Sequence, residues 1–107
     1  MRLFNRLNAN IYYNNLYSIR RAIVILDSEF ILAIKNNDAN YAREVLDTTQ
    51  KIYDNFINMC RESNNYNKTT NYMQKLWASR LIRFIDYLAA RLKDNFGVRN
   101  VASIAKI

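Results

Sequence analysis

At 107 residues the chain fits one domain, and half of its residues are hydrophobic, which is enough apolar material for a packed core. It has no proline and one glycine, so the many tight turns of a β-sandwich or β-barrel are excluded and long helices are favoured. The formal net charge of +7 favours acidic or polyanionic partners. We therefore expect residues 1–107 to form a single all-α domain.

The first predicted helix covers about residues 9–35. Its apolar side chains recur at alternating spacings of four and three residues, which places them in one stripe along a helix. The stripe consists of Tyr12, Leu16, Ile19, Ile23, Leu26, Phe30 and Ala33. Lys35 suits the negative end of the helix dipole. Asn36 and Asn37 then predict a short turn, and Asp38 is the predicted N-cap of the next helix.

The second predicted helix covers about residues 39–62 and the third about residues 70–96, both with the same spacing of apolar residues. The inward residues are Tyr41, Val45, Thr48, Ile52, Phe56 and Met59 in the second helix and Met73, Trp77, Leu81, Phe84, Leu88 and Leu92 in the third. Gly97 predicts a left-handed, Schellman-type stop after the third helix. Because two short connections require antiparallel neighbours, the sequence predicts an up-down-up three-helix bundle. Residues 98–107 form a tail or a short fourth helix in this prediction.

The sequence lacks the residues that common enzyme classes need. It has no histidine, which removes the commonest general base, the Ser-His and Cys-His pairs and imidazole metal ligands. One glycine cannot supply a phosphate-binding loop or a dinucleotide fingerprint. Cys60 is interpreted as a half-buried residue beside the apolar stripe, with a thiolate nucleophile as the alternative. Asp47 lies four residues before Lys51, a spacing typical of solvated ion pairs. We expect no enzymatic activity, no cofactor and no metal.

The sequence also contains no predicted signal or membrane span. Residues 1–7 lack the continuous apolar stretch and the small-residue cleavage site of a secretory signal. The longest apolar runs, residues 22–26 and 30–34, are separated by Asp27, Ser28 and Glu29, and they are too short and too charged to cross a bilayer. We expect an intracellular protein of the cytoplasm, an organelle matrix or a virion.

Basic and aromatic side chains suggest contact with nucleic acid or another polyanion. The candidates, most of them along one stripe of the third helix, are Arg20, Arg21, Lys75, Arg80, Arg83, Tyr87 and Arg91. Cations can hold phosphates while interleaved rings stack on bases. The alternative is a solvated face without a partner, and no helix-turn-helix, zinc-finger or RNP motif indicates sequence-specific recognition.

The first predicted helix carries more apolar residues than one bundle stripe needs. The surplus residues are Val24, Ile25, Ile31 and Leu32, and an apolar N-terminal segment adds Leu3, Phe4 and Leu7. The surplus residues either belong to a central first helix that the tail covers, or form an interface with other subunits or with a second copy of the chain. The N-terminal segment either packs back on the bundle or docks on a partner. We predict that they form a protein interface.

These features lead to two functional hypotheses. The first is a structural or assembly component of a larger protein or nucleoprotein complex, such as a virion or a ribosome-like particle, with apolar contacts to other proteins and polyanion contacts. The alternative is a free-standing, non-sequence-specific nucleic-acid-binding or regulatory module.

Overall fold

The computed structural model describes residues 16–62 and 68–97, together with Leu3 and Leu7. Residues 16–62 and 68–97 form three α-helices and no strand: α1 (Leu16–Lys35), α2 (Ala39–Glu62) and α3 (Lys68–Phe96). Each helix packs against the other two, so the predicted all-α three-helix bundle is confirmed. The bounds of α2 are those predicted, and α3 begins two residues earlier than predicted. The predicted start of the first helix and the tail at 98–107 lie outside the described residues.

The bundle is elongated, with principal dimensions of 44 × 23 × 18 Å. The longest helix, α3, has 29 residues. At 1.5 Å per residue such a helix is about 43 Å long, so α3 alone spans the long axis of the molecule. A surface along α3 or α1 is therefore a long, straight strip rather than a pocket.

The core is formed by the apolar stripes of all three helices, at the positions that the heptad spacing predicts or directly beside them. Its fully buried members include Ile19, Leu26 and Phe30 of α1, Val45, Leu46, Ile52 and Phe56 of α2, and Leu81, Leu88 and Leu92 of α3. Two buried threonines of α2 lie among them. The Thr49 hydroxyl donates a hydrogen bond to the Val45 carbonyl at 2.8 Å, whereas the buried Thr48 hydroxyl has no hydrogen-bond partner.

Residues 36–38 join the end of α1 to the start of α2. The amide of Asn37 donates to the carbonyl of Ile34 at 3.0 Å, and the amide of Asp38 donates to the carbonyl of Ala33 at 2.8 Å. With Asn37 at a φ of 52°, these two bonds make a Schellman motif. The Asp38 carboxylate then accepts a hydrogen bond from the amide of Tyr41 at 3.0 Å, so the predicted N-cap is confirmed.

The end of α3 has the predicted left-handed glycine, but its hydrogen bond is that of the αL motif and not of the predicted Schellman type. Gly97 has a φ of 96°, and its amide donates to the carbonyl of Lys93 at 2.9 Å. A left-handed residue whose amide donates to the carbonyl four residues earlier forms the αL motif that ends a helix. Glycine adopts this conformation without the steric cost of a Cβ atom.

Candidate functional site

The outward face of α1 combines large apolar side chains with cations. Val24, Ile31 and Leu32 are 59%, 39% and 49% exposed. The exposed residues of α1 between positions 18 and 35, called here the α1 face, are Arg20, Arg21, Val24, Ser28, Ile31, Leu32 and Lys35. Every exposed charge in this set is positive. Val24, Ile31 and Leu32, which are predicted to form a protein interface, are thus exposed in the folded chain, and their contact with a protein stays a prediction.

This exposure is specific to α1 and not a general property of the bundle. The exposed residues described on α2 are all polar: Asn40, Lys51, Asp54, Asn58 and Arg61. On α3 the large exposed apolar or aromatic residues are Tyr72, Ile82 and Tyr87, which are spread along a 29-residue helix. A soluble bundle exposes apolar side chains singly without consequence, but a group of them on one face marks a contact surface.

Three of the other residues predicted for the protein interface are placed differently. Leu3 and Leu7 are only 4% and 5% exposed and belong to the core, so their assignment to a partner interface is wrong. The physical reason is that both leucines bury their side chains against the bundle itself, which was the other outcome open to this segment. Ile25 is half-buried against the core and lines the edge of the α1 face. Phe4 lies outside the described residues.

The second candidate surface is a row of rings and guanidinium groups along α3. We call it the α3 ridge, and its residues are Trp77, Arg80, Arg83, Phe84, Tyr87 and Arg91. The spacings of three and four residues keep these side chains on one flank of the helix. Four of the predicted polyanion-contact residues are therefore brought together here.

Two arginines of the α3 ridge are stacked on aromatic rings. The Arg80 guanidinium lies 4.7 Å from the centroid of the Trp77 ring, and that of Arg91 lies 5.9 Å from the centroid of the Tyr87 ring. Tyr87 is in turn stacked on Phe84, with centroids 6.1 Å apart and an interplanar angle of 19°. Stacking restrains a guanidinium while its in-plane N–H donors can still bind a phosphate or carboxylate. Sequence reasoning placed Trp77 and Phe84 in the core only, although their spacing of three residues from Arg80 and Tyr87 is the signal for these pairs.

The remaining predicted polyanion contacts do not join this ridge. Lys75 is exposed but lies about 140° around α3 from Arg80, because five residues advance a helix by that angle. Arg20 and Arg21 are exposed on α1, one helical turn before Val24, and belong to the α1 face. The structure thus divides the predicted basic set between two helices.

The described residues of α2 and α3 form a shallow groove between the two helices. Its volume is about 450 Å³, and it is lined by Asp47, Gln50, Lys51, Tyr53, Asp54 and Ile85. Burial raises the pKa of the Asp47 carboxyl, although the nearby charges of Lys51 and Arg43 act in the opposite direction. Among the described residues no three histidine, cysteine, aspartate or glutamate side chains are grouped so that they could hold a metal ion.

Cys60, the other chemical candidate, is half-buried and packs against the core. Burial raises the pKa of its thiol, which lowers the fraction of reactive thiolate at neutral pH. Its surroundings therefore resemble those of a structural cysteine more than those of a nucleophile.

Within the described ranges, no helix combines the length and the apolar character needed to cross a membrane. No known protein family, curated protein or solved structure matches the chain. The two surfaces described above are therefore interpreted from their own chemistry.

Proposed function

We propose that the protein is a non-enzymatic assembly component of a larger protein or nucleoprotein complex, and that the α1 face is its contact surface for another protein. The observation that supports this proposal is the exposure of Val24, Ile31 and Leu32 together on one helix face. Burying these side chains against a partner removes apolar area from water, at about 25 cal/mol per Å². A helix-to-helix contact of this kind uses residues spaced by seven and eight, as these three are.

The proposal is tested by placing a carboxylate in the centre of the α1 face. The chain and its Val24→Glu variant are purified from the native source, and the mass of each complex is measured by size-exclusion chromatography with light scattering. We expect the wild-type chain to elute with a partner protein and the variant to elute alone. Ile82→Glu on α3 is the matched control. Ile82, like Val24, is an exposed aliphatic residue, but it lies outside the α1 face. A wild-type monomer without a partner, or a complex that survives Val24→Glu, contradicts the proposal.

The α3 ridge supports a second candidate function, non-sequence-specific binding of nucleic acid. The observation that favours it is the stacking of Arg80 on Trp77 and of Arg91 on Tyr87. Such groups bind phosphates through the guanidinium, and the Tyr87 side chain, which is 41% exposed, is accessible to bases. In an assembly component, the same ridge would contact the nucleic acid of the particle.

Salt dependence distinguishes this second function from general attraction to a basic protein. For a single strand, the slope of log affinity against log salt is about −0.7 per phosphate contact. Arg80→Gln/Arg83→Gln is expected to make the slope for single-stranded DNA shallower by about 1.4. Lys75→Gln/Lys93→Gln removes the same charge from exposed positions elsewhere on α3 and should leave the slope nearly unchanged. Equal effects of the two double variants would show that only net charge matters.

A further inference from the structure

We propose that the partner of the α1 face is an amphipathic helix whose apolar stripe is flanked at both ends by aspartate or glutamate residues. This inference rests on the proposed assembly function and adds the chemistry of the partner to it. The evidence is the arrangement of charge on α1. Its exposed cations stand at the two ends of the face, and the carboxylates between them, Asp27 and Glu29, are half-buried rather than exposed.

The dimensions of the α1 face define the partner. From Arg20 to Lys35 the helix rises about 22 Å, and the three exposed apolar residues lie within the central 12 Å or so. A partner helix of about 15 residues or more is needed to reach both cationic ends. Because Val24 precedes Ile31 by seven residues and Leu32 by eight, a heptad stripe on the partner would lie along them.

A second copy of the chain does not fit this surface. In a parallel pair of α1 faces, Arg20 and Arg21 of one copy would meet the same residues of the other. In an antiparallel pair they would meet Lys35 of the other copy. Both arrangements place like charges opposite one another, which is unfavourable and argues for a different protein.

Other parts of the chain do not supply the complement either. Residues 1–15 contain two arginines, residues 98–107 contain Arg99 and Lys106, and neither segment contains an aspartate or glutamate. The outer side of α2 has a carboxylate at Asp54, but its exposed residues are all polar and offer no apolar stripe. On α3 the exposed carboxylates of Asp86 and Asp94 lie close to the exposed cations Arg83 and Lys93, so α3 does not present an acidic face. The occupant that matches both the apolar centre and the cationic ends is an acidic amphipathic helix from another protein.

The test uses a synthetic helical peptide of about 22 residues, long enough to span the face, with a leucine heptad stripe and two glutamates at each end. A second peptide carries lysines in place of these glutamates. Calorimetry or fluorescence anisotropy measures the Kd of each for the full chain. We expect the glutamate-ended peptide to bind about tenfold more tightly, the ratio that three exposed ion pairs provide.

Charge reversal on the protein gives the decisive comparison. Arg20→Glu/Arg21→Glu is expected to abolish or invert the preference between the two peptides. Lys75→Glu/Lys93→Glu makes the same charge change at exposed positions of α3 and should preserve the preference. Val24→Glu should weaken both peptides. A loss of preference that is equal in the two double variants would overturn the inference, because net charge rather than the α1 face would then explain it.

The remaining outcomes separate this inference from the function on which it rests. Equal binding of the two peptides, together with a native complex that depends on Val24, would overturn the acidic helix and leave the assembly function standing. Binding to phosphatidylglycerol vesicles but to neither peptide would show an anionic lipid surface instead. If light scattering of the chain alone showed a dimer, and Leu32→Glu dissociated it, the occupant of the α1 face would be a second copy.

Discussion

The two adjacent threonines of α2 show how a single hydroxyl group affects the stability of this core. Both side chains are fully buried, but only the Thr49 hydroxyl is bonded, to the carbonyl of Val45. A buried polar group without a partner keeps its desolvation cost, whereas one with a partner recovers most of it. Thr48 is therefore a source of instability inside an otherwise apolar stripe.

Replacing Thr48 by a residue of the same shape should stabilise the protein. We expect Thr48→Val to raise the free energy of unfolding by about 1 kcal/mol, because the unbonded hydroxyl is removed and the methyl groups fill its place. Urea denaturation followed by circular dichroism measures the change. Thr49→Val is the matched control and should be neutral or destabilising, since it deletes a hydrogen bond. Destabilisation of Thr48→Val would indicate that its hydroxyl is satisfied in solution.

Asp47 provides a pH-dependent contribution to stability. Burial raises the pKa of its carboxyl, so the folded state binds the proton more tightly than the unfolded state does. The free energy of unfolding therefore decreases as the pH rises from the ordinary carboxyl range, around 4, through the raised pKa of the folded state. We expect Asp47→Asn to remove this decrease, measured by denaturation at a series of pH values. Asp54→Asn, at an exposed carboxylate of the same groove, is the control. An unchanged pH profile in Asp47→Asn would contradict the assignment.

At the scale of the helices, the junction between α1 and α2 depends on the left-handed residue Asn37. Asparagine tolerates a φ of 52° better than other residues with a side chain, and glycine tolerates it best. We expect Asn37→Ala to lower the free energy of unfolding by about 1 kcal/mol and Asn37→Gly to be neutral or slightly stabilising. Thermal denaturation of the two variants measures the difference. Equal melting temperatures would show that the left-handed turn does not hold α1 and α2 in place.

The elements were largely predictable because their signals are local. The stripe in which Leu26 and Phe30 recur is a property of the backbone period, and Asp38 and Gly97 act on backbone groups a few residues away. The same reasoning placed Val24, Ile31 and Leu32 outside the stripe, where the structure exposes them. Sequence could therefore define the helices and the apolar side of the candidate site.

The pairing between elements was less predictable, because it depends on which surfaces meet. Leu3 and Leu7 carry the same apolar pattern whether they contact the bundle or a partner, and only the folded chain shows that they belong to the core. Lys75 is a candidate for polyanion contact because of its charge, but the angle between it and Arg80 on the helix separates the two side chains. The stacking of Arg80 on Trp77 likewise required knowing that the Trp77 ring lies at the border of the core.

For the molecule as a whole, two leucine variants can distinguish the core from the contact surface by their effects on stability and on partner binding. Leu7 is buried, and Leu32 is half exposed on the α1 face. We expect Leu7→Ala to lower the free energy of unfolding by about 2–4 kcal/mol and Leu32→Ala to change it by less than about 0.5 kcal/mol. Partner binding should show the reverse order, with the larger loss in Leu32→Ala. Two variants of equal stability would show that the N-terminal leucine does not contribute to the bundle.

The junction at Asp38 limits how many residues can connect α1 to α2. The same residue completes the last turn of α1 and caps the first turn of α2, so neither motif contains a spare position. One inserted residue would separate these two roles, so that either the Schellman motif that ends α1 or the N-cap of α2 would be lost. We therefore expect any homologue that keeps the α1 face to tolerate substitutions on it, but to keep the number of residues between the two helices fixed at three.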